Sequence, residues 1–199
     1  MRKILVSIMI IALVCALFGT SIYAVFSDTE TSTGNQFAAG TLDLEVDDEN
    51  PWASVKINVV TPPMKPGDSG AVTCKLENVG TIDGSSLTVD LTNLVDSPGT
   101  TPNPEPTPDN GELSANIDIV LWEDNGAGGG VAGNGIQDGT EATLYSGKLN
   151  AVAGPYTVGS GLGAGATTYV GISYSIASSV GNEIQDDSCT FDIVFVLTQ

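Results

Sequence analysis

The chain predicts an all-β domain, a sandwich or jelly roll, preceded by an N-terminal signal helix. Three observations carry that prediction. Short alternating or β-branched runs recur between clusters of glycine, proline and asparagine. No amphipathic helical periodicity follows residue 25, and the chain opens on two basic residues and an apolar run.

Taken in order, Arg2 and Lys3 form the basic n-region of an export signal, and Ile4 to Phe18 is its apolar core. Gly19, Thr20 and Ser21 loosen the chain before Ala24, a small residue suited to the position before a cleavage point. Residues 1–24 are thus expected to be removed by a signal peptidase, leaving Val25 as the new terminus of a secreted, extracellular or cell-surface protein. The alternative is a retained anchor, since the run approaches the ~20 apolar residues that span a bilayer. Membrane contact is expected only through the uncleaved signal. Residues 25–39 then form a short polar, extended segment, and residues 40–199 the β-domain.

Strands are expected at Leu42–Val46, Ala53–Val60, Ala71–Glu77, Ser86–Leu94, Ile117–Trp122, Ala142–Tyr145, Thr168–Ile176 and Cys189–Leu197. Eight short strands without long helices suit a two-sheet fold. The proline- and threonine-rich loop 97–108 is expected as exposed polyproline-like coil. Gly126–Gly135 and Gly154–Gly165 are two further glycine-rich loops.

With 24 acidic and 6 basic residues the formal charge is −18, and Arg2 and Lys3 lie in the signal. A surface so acidic repels phosphate backbones, which excludes nucleic acid as a partner. Cys15 also falls in the signal. Cys74 and Cys189 alternate with polar neighbours and are both expected to face inward on strands. A disulfide between them would contribute up to ~4–5 kcal/mol in the chain-entropy model; two buried free thiols are the alternative.

Trp122-Glu123-Asp124-Asn125-Gly126 leads towards Asn134-Gly135-Ile136-Gln137-Asp138-Gly139-Thr140-Glu141. Ca²⁺ takes 6–8 hard oxygen ligands, and glycines let a loop turn its carboxylates together. Asp124, Asn134, Asp138 and Glu141 are the candidate calcium ligands, with the Ile136 carbonyl as a fifth oxygen. The alternative is a solvated acidic hairpin tip.

The chain contains no histidine. Ser-His-Asp, Cys-His and histidine-ligated zinc sites are therefore not available, and no zinc site is expected. A paired-carboxylate hydrolase needs only two acids, but 2 Trp, 5 Tyr and 5 Phe are few for a sugar cleft. The expectation is that the chain is not an enzyme.

Several blocks resemble TasA and camelysin-type secreted proteins, a family that includes archaeal bundling-pilus subunits. At the front these are Val25-Phe26-Ser27-Asp28-Thr29-Glu30, after a signal resembling those cut by SipW-type peptidases, and Ala39-Gly40-Thr41-Leu42-Asp43-Leu44. Met64-Lys65-Pro66-Gly67-Asp68-Ser69-Gly70 and Asn78-Val79-Gly80-Thr81 follow, then Thr190-Phe191-Asp192-Ile193-Val194-Phe195 near the end. Camelysin-like proteins are classed as metallopeptidases, yet a His-Glu-x-x-His centre cannot be built here. The resemblance implies a jelly-roll subunit that polymerises by donor-strand complementation.

That implication agrees with the physics of the junction. An open sheet edge exposes unpaired N–H and C=O groups, and a neighbour's free N-terminal segment can complete it. Such head-to-tail contacts do not close, so they generate a filament. The donor would be Val25 to Gln36, with Val25 and Phe26 as its apolar anchors, and the partner would be a second copy of the chain. The alternative is a monomeric secreted or surface β-sandwich binding module that holds calcium.

Overall fold

The computed structural model of the protein describes residues 2–19, 36, 38–59, 63–99 and 110–199. Cleavage at Ala24, the donor residues Val25 and Phe26, and most of the proline- and threonine-rich loop lie outside the described residues. Residues 1–38 and 39–199 form two separate units. The first carries α1 (Arg2–Gly19), whose apolar side chains from Ile4 to Val14 are exposed. Among the described residues no helix is long and apolar enough to cross a membrane.

The second unit is a sandwich of two antiparallel sheets with its own core. Its strands are β1 (Leu44–Val46), β2 (Ser69–Asn78), β3 (Ser86–Ser97), β4 (Ile117–Glu123), β5 (Thr143–Lys148), β6 (Tyr156–Thr157), β7 (Thr167–Ile176) and β8 (Ser188–Thr198). One sheet runs β1-β2-β7-β4-β5 and the other β6-β3-β8. Alternation fixes which face each strand buries. Cys74 and Leu76 on β2, Leu87 and Val89 on β3, Ile119 and Leu121 on β4, and Val170 and Ile172 on β7 are buried together. Burying each large aliphatic side chain stabilises the fold by about 1.5–3 kcal/mol.

Two of the sequence blocks meet in space. Asn78, fully buried at the end of β2, donates from Nδ2 to the carbonyls of Ile82 (2.9 Å) and Leu162 (3.0 Å) and accepts Gly80 N–H at 3.0 Å. The chain after it lies against residues 41–43, with Val79 N–H donating to Asp43 O and Thr81 N–H to Thr41 O. A Cβ at residue 80 would sit 2.3 Å from Thr41 O, so this approach requires glycine.

Three expectations change. Of the strand expected at Ala53–Val60, residues 53–59 form no part, and Val60 lies outside the described residues. The chain also holds two elements too short to read by period, β6 and the one-turn helix α2 (Leu113–Asn116). The third concerns the cysteines. Cys74 on β2 and Cys189 on β8 both lean on the core and are free, so the expected disulfide is not formed. Burial pushes the Cys74 thiol up to about 12; burial, then Asp96 and Asp187, push Cys189 up to about 11. Since the thiolate is the reactive species, iodoacetamide is expected to label exposed Cys15 quickly in the full-length native chain. Cys74 and Cys189 should label only after denaturation; fast native labelling of either would contradict this packing.

Candidate functional site

Among the described residues the outer edge of β8 has no strand beside it. Among the described residues β8 pairs only with β3, from Ser86↔Thr198 to Ser97↔Ser188. Its inward side chains, Cys189, Phe191, Ile193 and Phe195, are only partly covered although they pack on the core. Beside them lies a cleft of about 1670 Å³ that reaches Ile117, Ile119 and Leu149. That exceeds the roughly 300–1,000 Å³ typical of small-molecule pockets, and suits a length of chain.

Residues 52–59 also line the cleft. This segment is fastened by side chains. The Trp52 ring lies 5.8 Å from that of Phe195. Glu49 accepts the N–H groups of Ala53 and Ser54, each at 3.2 Å, and the Ser54 hydroxyl at 2.5 Å. Lys56 Nζ pairs with Asp47 Oδ2 at 2.8 Å. Asp47 is itself fixed on β2, because its Oδ1 accepts Lys75 N–H at 3.0 Å. Lys75 pairs with Asp48 (2.6 Å) and Glu77 (2.8 Å), and the Asp48 hydrogen bond, followed by that of Glu77, raises its pKa.

The Ser54 hydroxyl, then Ala53 N–H, hold the Glu49 carboxyl below its ordinary range. A depressed folded-state pKa contributes stability above the unfolded value and loses it as pH falls through the folded one. The stability gap between the native chain and Glu49→Gln is therefore expected at neutral pH and should close in acid. Urea unfolding at pH 7 and at pH 3 checks this, and an equal gap at both would refute it.

The four residues expected to hold calcium do come together, in the loop after β4. Asp124 is 0 % exposed, and its two oxygens accept Gly133 N–H (3.0 Å) and Gly135 N–H (2.8 Å). Glu141 accepts Gly126 N–H (2.8 Å) and Asp138 N–H (3.1 Å). Asp138 accepts Val131 N–H and the Asn134 side-chain amide, both at 3.1 Å, while Asn134 Oδ1 accepts Ile136 N–H at 2.7 Å. Among the described residues no group of three or more Cys, Asp or Glu is arranged to hold a metal ion. The sequence pattern found the loop but not the partners of its oxygens. It also missed the open β8 edge, since edge and central strands share one alternation. The signals at the cleft are the alternation of Cys189, Phe191 and Ile193 and that of the strand expected at Ala53–Val60.

A family model described as camelysin metallo-endopeptidase matches residues 1–105, from the N-terminal helix through β3. A comparison with curated proteins finds no match. The family description overturns the expectation that this chain is not an enzyme: lacking histidine removes one kind of ligand and base, not catalysis as such. The residues present nevertheless do not fit a histidine-ligated metal, and the most buried carboxylates, Asp124 and Glu141, are taken up by backbone N–H groups. No catalytic step follows from them. With the match spanning just over half its length, the chain belongs to the camelysin metallo-endopeptidase family, a secreted, TasA-like family.

Proposed function

We propose that the protein is a subunit of an extracellular fibre, in which the N-terminal segment of one copy, residues 25–36, adds as a strand along β8 of the next. Membership of a secreted, TasA-like family supports a structural role outside the cell. The observation that carries the finer reading is the long outer edge of β8 beside an apolar cleft.

Edge strands are ordinarily blunted by shortness, lysine, proline or irregular register. In this sandwich β1 has three residues, β6 two, and β5 pairs with β4 through a register shift and ends on Lys148. β8 has 11 residues, no lysine or proline, and Asp192 as its single charge. Strand order adds support. The order β2-β7-β4-β5 in one sheet and β8-β3-β6 in the other supports a jelly-roll reading, in which a first strand would lie against β8. Here β1 instead pairs with β2. A strand from a second copy fits that position: main-chain bonds would give affinity, and Val25 and Phe26 would anchor in the cleft. The contact is heterologous and does not close, so copies add without limit. Removal of residues 1–24 would release the donor, making export the trigger for assembly.

Negative-stain electron microscopy of protein starting at Val25, beside protein starting at Gly40, tests this. Filaments are expected from the first and none from the second. Monodisperse particles from both would sink the fibre reading and leave a monomeric surface module.

A further inference from the structure

We infer that residues 52–59 are a strap over the β8 edge, which must lift before a neighbour's N-terminal segment can enter. This rests on the fibre reading and adds a gate to it. The strap and Ser188–Val194 line the same cleft, so an incoming strand would have to take the space between them.

The strap is strand-like in sequence and not in structure. Trp52-Ala53-Ser54-Val55-Lys56-Ile57-Asn58-Val59 alternates, yet it forms no ladder with β8. Its register on the core is correspondingly incomplete. Ile57 packs inward, whereas Val55 is 75 % exposed and Val59 is also exposed. The Trp52 indole N–H is buried with no acceptor among the described residues, a group that costs free energy where it sits. A bound donor would supply main-chain bonds to the outer edge of β8, which no strand among the described residues supplies. Exchange of strap for donor is therefore downhill in hydrogen bonding.

What holds the strap down is local and polar. The Glu49 carboxylate gathers Ala53 N–H, Ser54 N–H and the Ser54 hydroxyl, and Lys56 reaches Asp47. Both anchors sit in the turn after β1, and Asp47 is braced on β2 through Lys75 N–H. The two carboxylates lie outside the cleft lining, whereas Ala53, Ser54 and Lys56 belong to it, so removing the Glu49 carboxylate leaves the groove residues untouched. Surface contacts of this kind are individually weak, as a releasable strap requires.

The test uses residues 39–199, a compact unit with its own core, and a labelled synthetic peptide of residues 25–36. Native protein is compared with the Glu49→Ala variant, whose substituted residue lies outside the cleft lining, by hydrogen exchange and by fluorescence anisotropy. Unchanged exchange in β2 and β7 verifies that the variant is folded. If a small open fraction limits binding, apparent affinity scales with that fraction. We expect faster exchange in residues 188–194 of the variant and peptide binding tighter by about tenfold. Peptide binding equal in the two proteins would overturn the strap while leaving the fibre reading intact. Equal exchange of residues 188–194 in both would also overturn it, because the strap would then not govern access to that edge, β8 being protected on its other side by β3 alone. Peptide binding to neither would overturn the fibre reading, and the strap with it.

Discussion

Replacing Trp122 by alanine is expected to lower the unfolding free energy by about 3–5 kcal/mol, the usual cost of truncating a buried indole. For a unit of this size that corresponds to a fall in melting temperature on the order of 10 °C. Trp122 is 2 % exposed, yet it alternates to the face opposite Ile119 and Leu121 and stands outside the main core cluster. It therefore stabilises the outer side of the five-stranded sheet. Its seat is a glycine: Trp122 pairs across β4 and β7 with Gly171, where an added Cβ would lie 2.1 Å from the indole ring.

This geometry makes further, sharper expectations. Gly171→Ala overfills the seat and should cost about 1–3 kcal/mol. The Gly171→Ala/Trp122→Ala double variant should be more stable than the sum of the two losses, because the new methyl enters space the indole has left. The Trp122 N–H has no acceptor among the described residues, so Trp122→Phe should cost far less than Trp122→Ala. Urea unfolding of the four variants decides the matter. Additive losses, or a phenylalanine variant as weak as the alanine one, would show that packing on Gly171 is not the source of the stability.

Most of the sheet framework was legible because its signal is local. Alternation in Ala71–Glu77, Ser86–Leu94 and Cys189–Leu197 marks β2, β3 and β8 and correctly turns Cys74 inward. What failed was everything that depends on a partner far along the chain. Residues 53–59 carry a strand's alternation, but a strand exists only where another strand offers its N–H and C=O groups. Cys74 and Cys189 each face inward, but sequence does not reveal whether two inward-facing thiols come within bonding reach, and these two are free. The free edge of β8 is likewise a property of sheet order, not of residues 188–198 themselves. Segments where local preference and final structure disagree are often functional, and it is the strand-like, unpaired strap that borders the candidate acceptor cleft. In the loop after β4 the limit is chemical: Asp124, Asp138 and Glu141 look the same in a sequence whether their oxygens face a cation or an amide.

That ambiguity can be settled at Asp124. Asp124, Asp138 and Glu141 together accept the backbone N–H groups of Gly126, Val131, Gly133, Gly135 and Asp138. Gly133 and Gly135 adopt φ of 72° and 69°, a conformation that turns their amides inward at little cost to glycine. Charge-assisted hydrogen bonds of this kind are worth roughly twice neutral ones, and burial makes an orphaned donor expensive. Asp124→Ala is therefore expected to destabilise the protein by about 2–4 kcal/mol and to release Gly133 and Gly135 to hydrogen exchange. If these amides are what the carboxylate serves, the loss will be the same in EDTA as in millimolar calcium. A loss that appears only with calcium would instead assign Asp124 to a cation, and with it the ligand set of Asp124, Asn134, Asp138 and Glu141. Measuring the variant in both solutions separates an amide cage from a metal loop, because only the second has a stability that calcium can change.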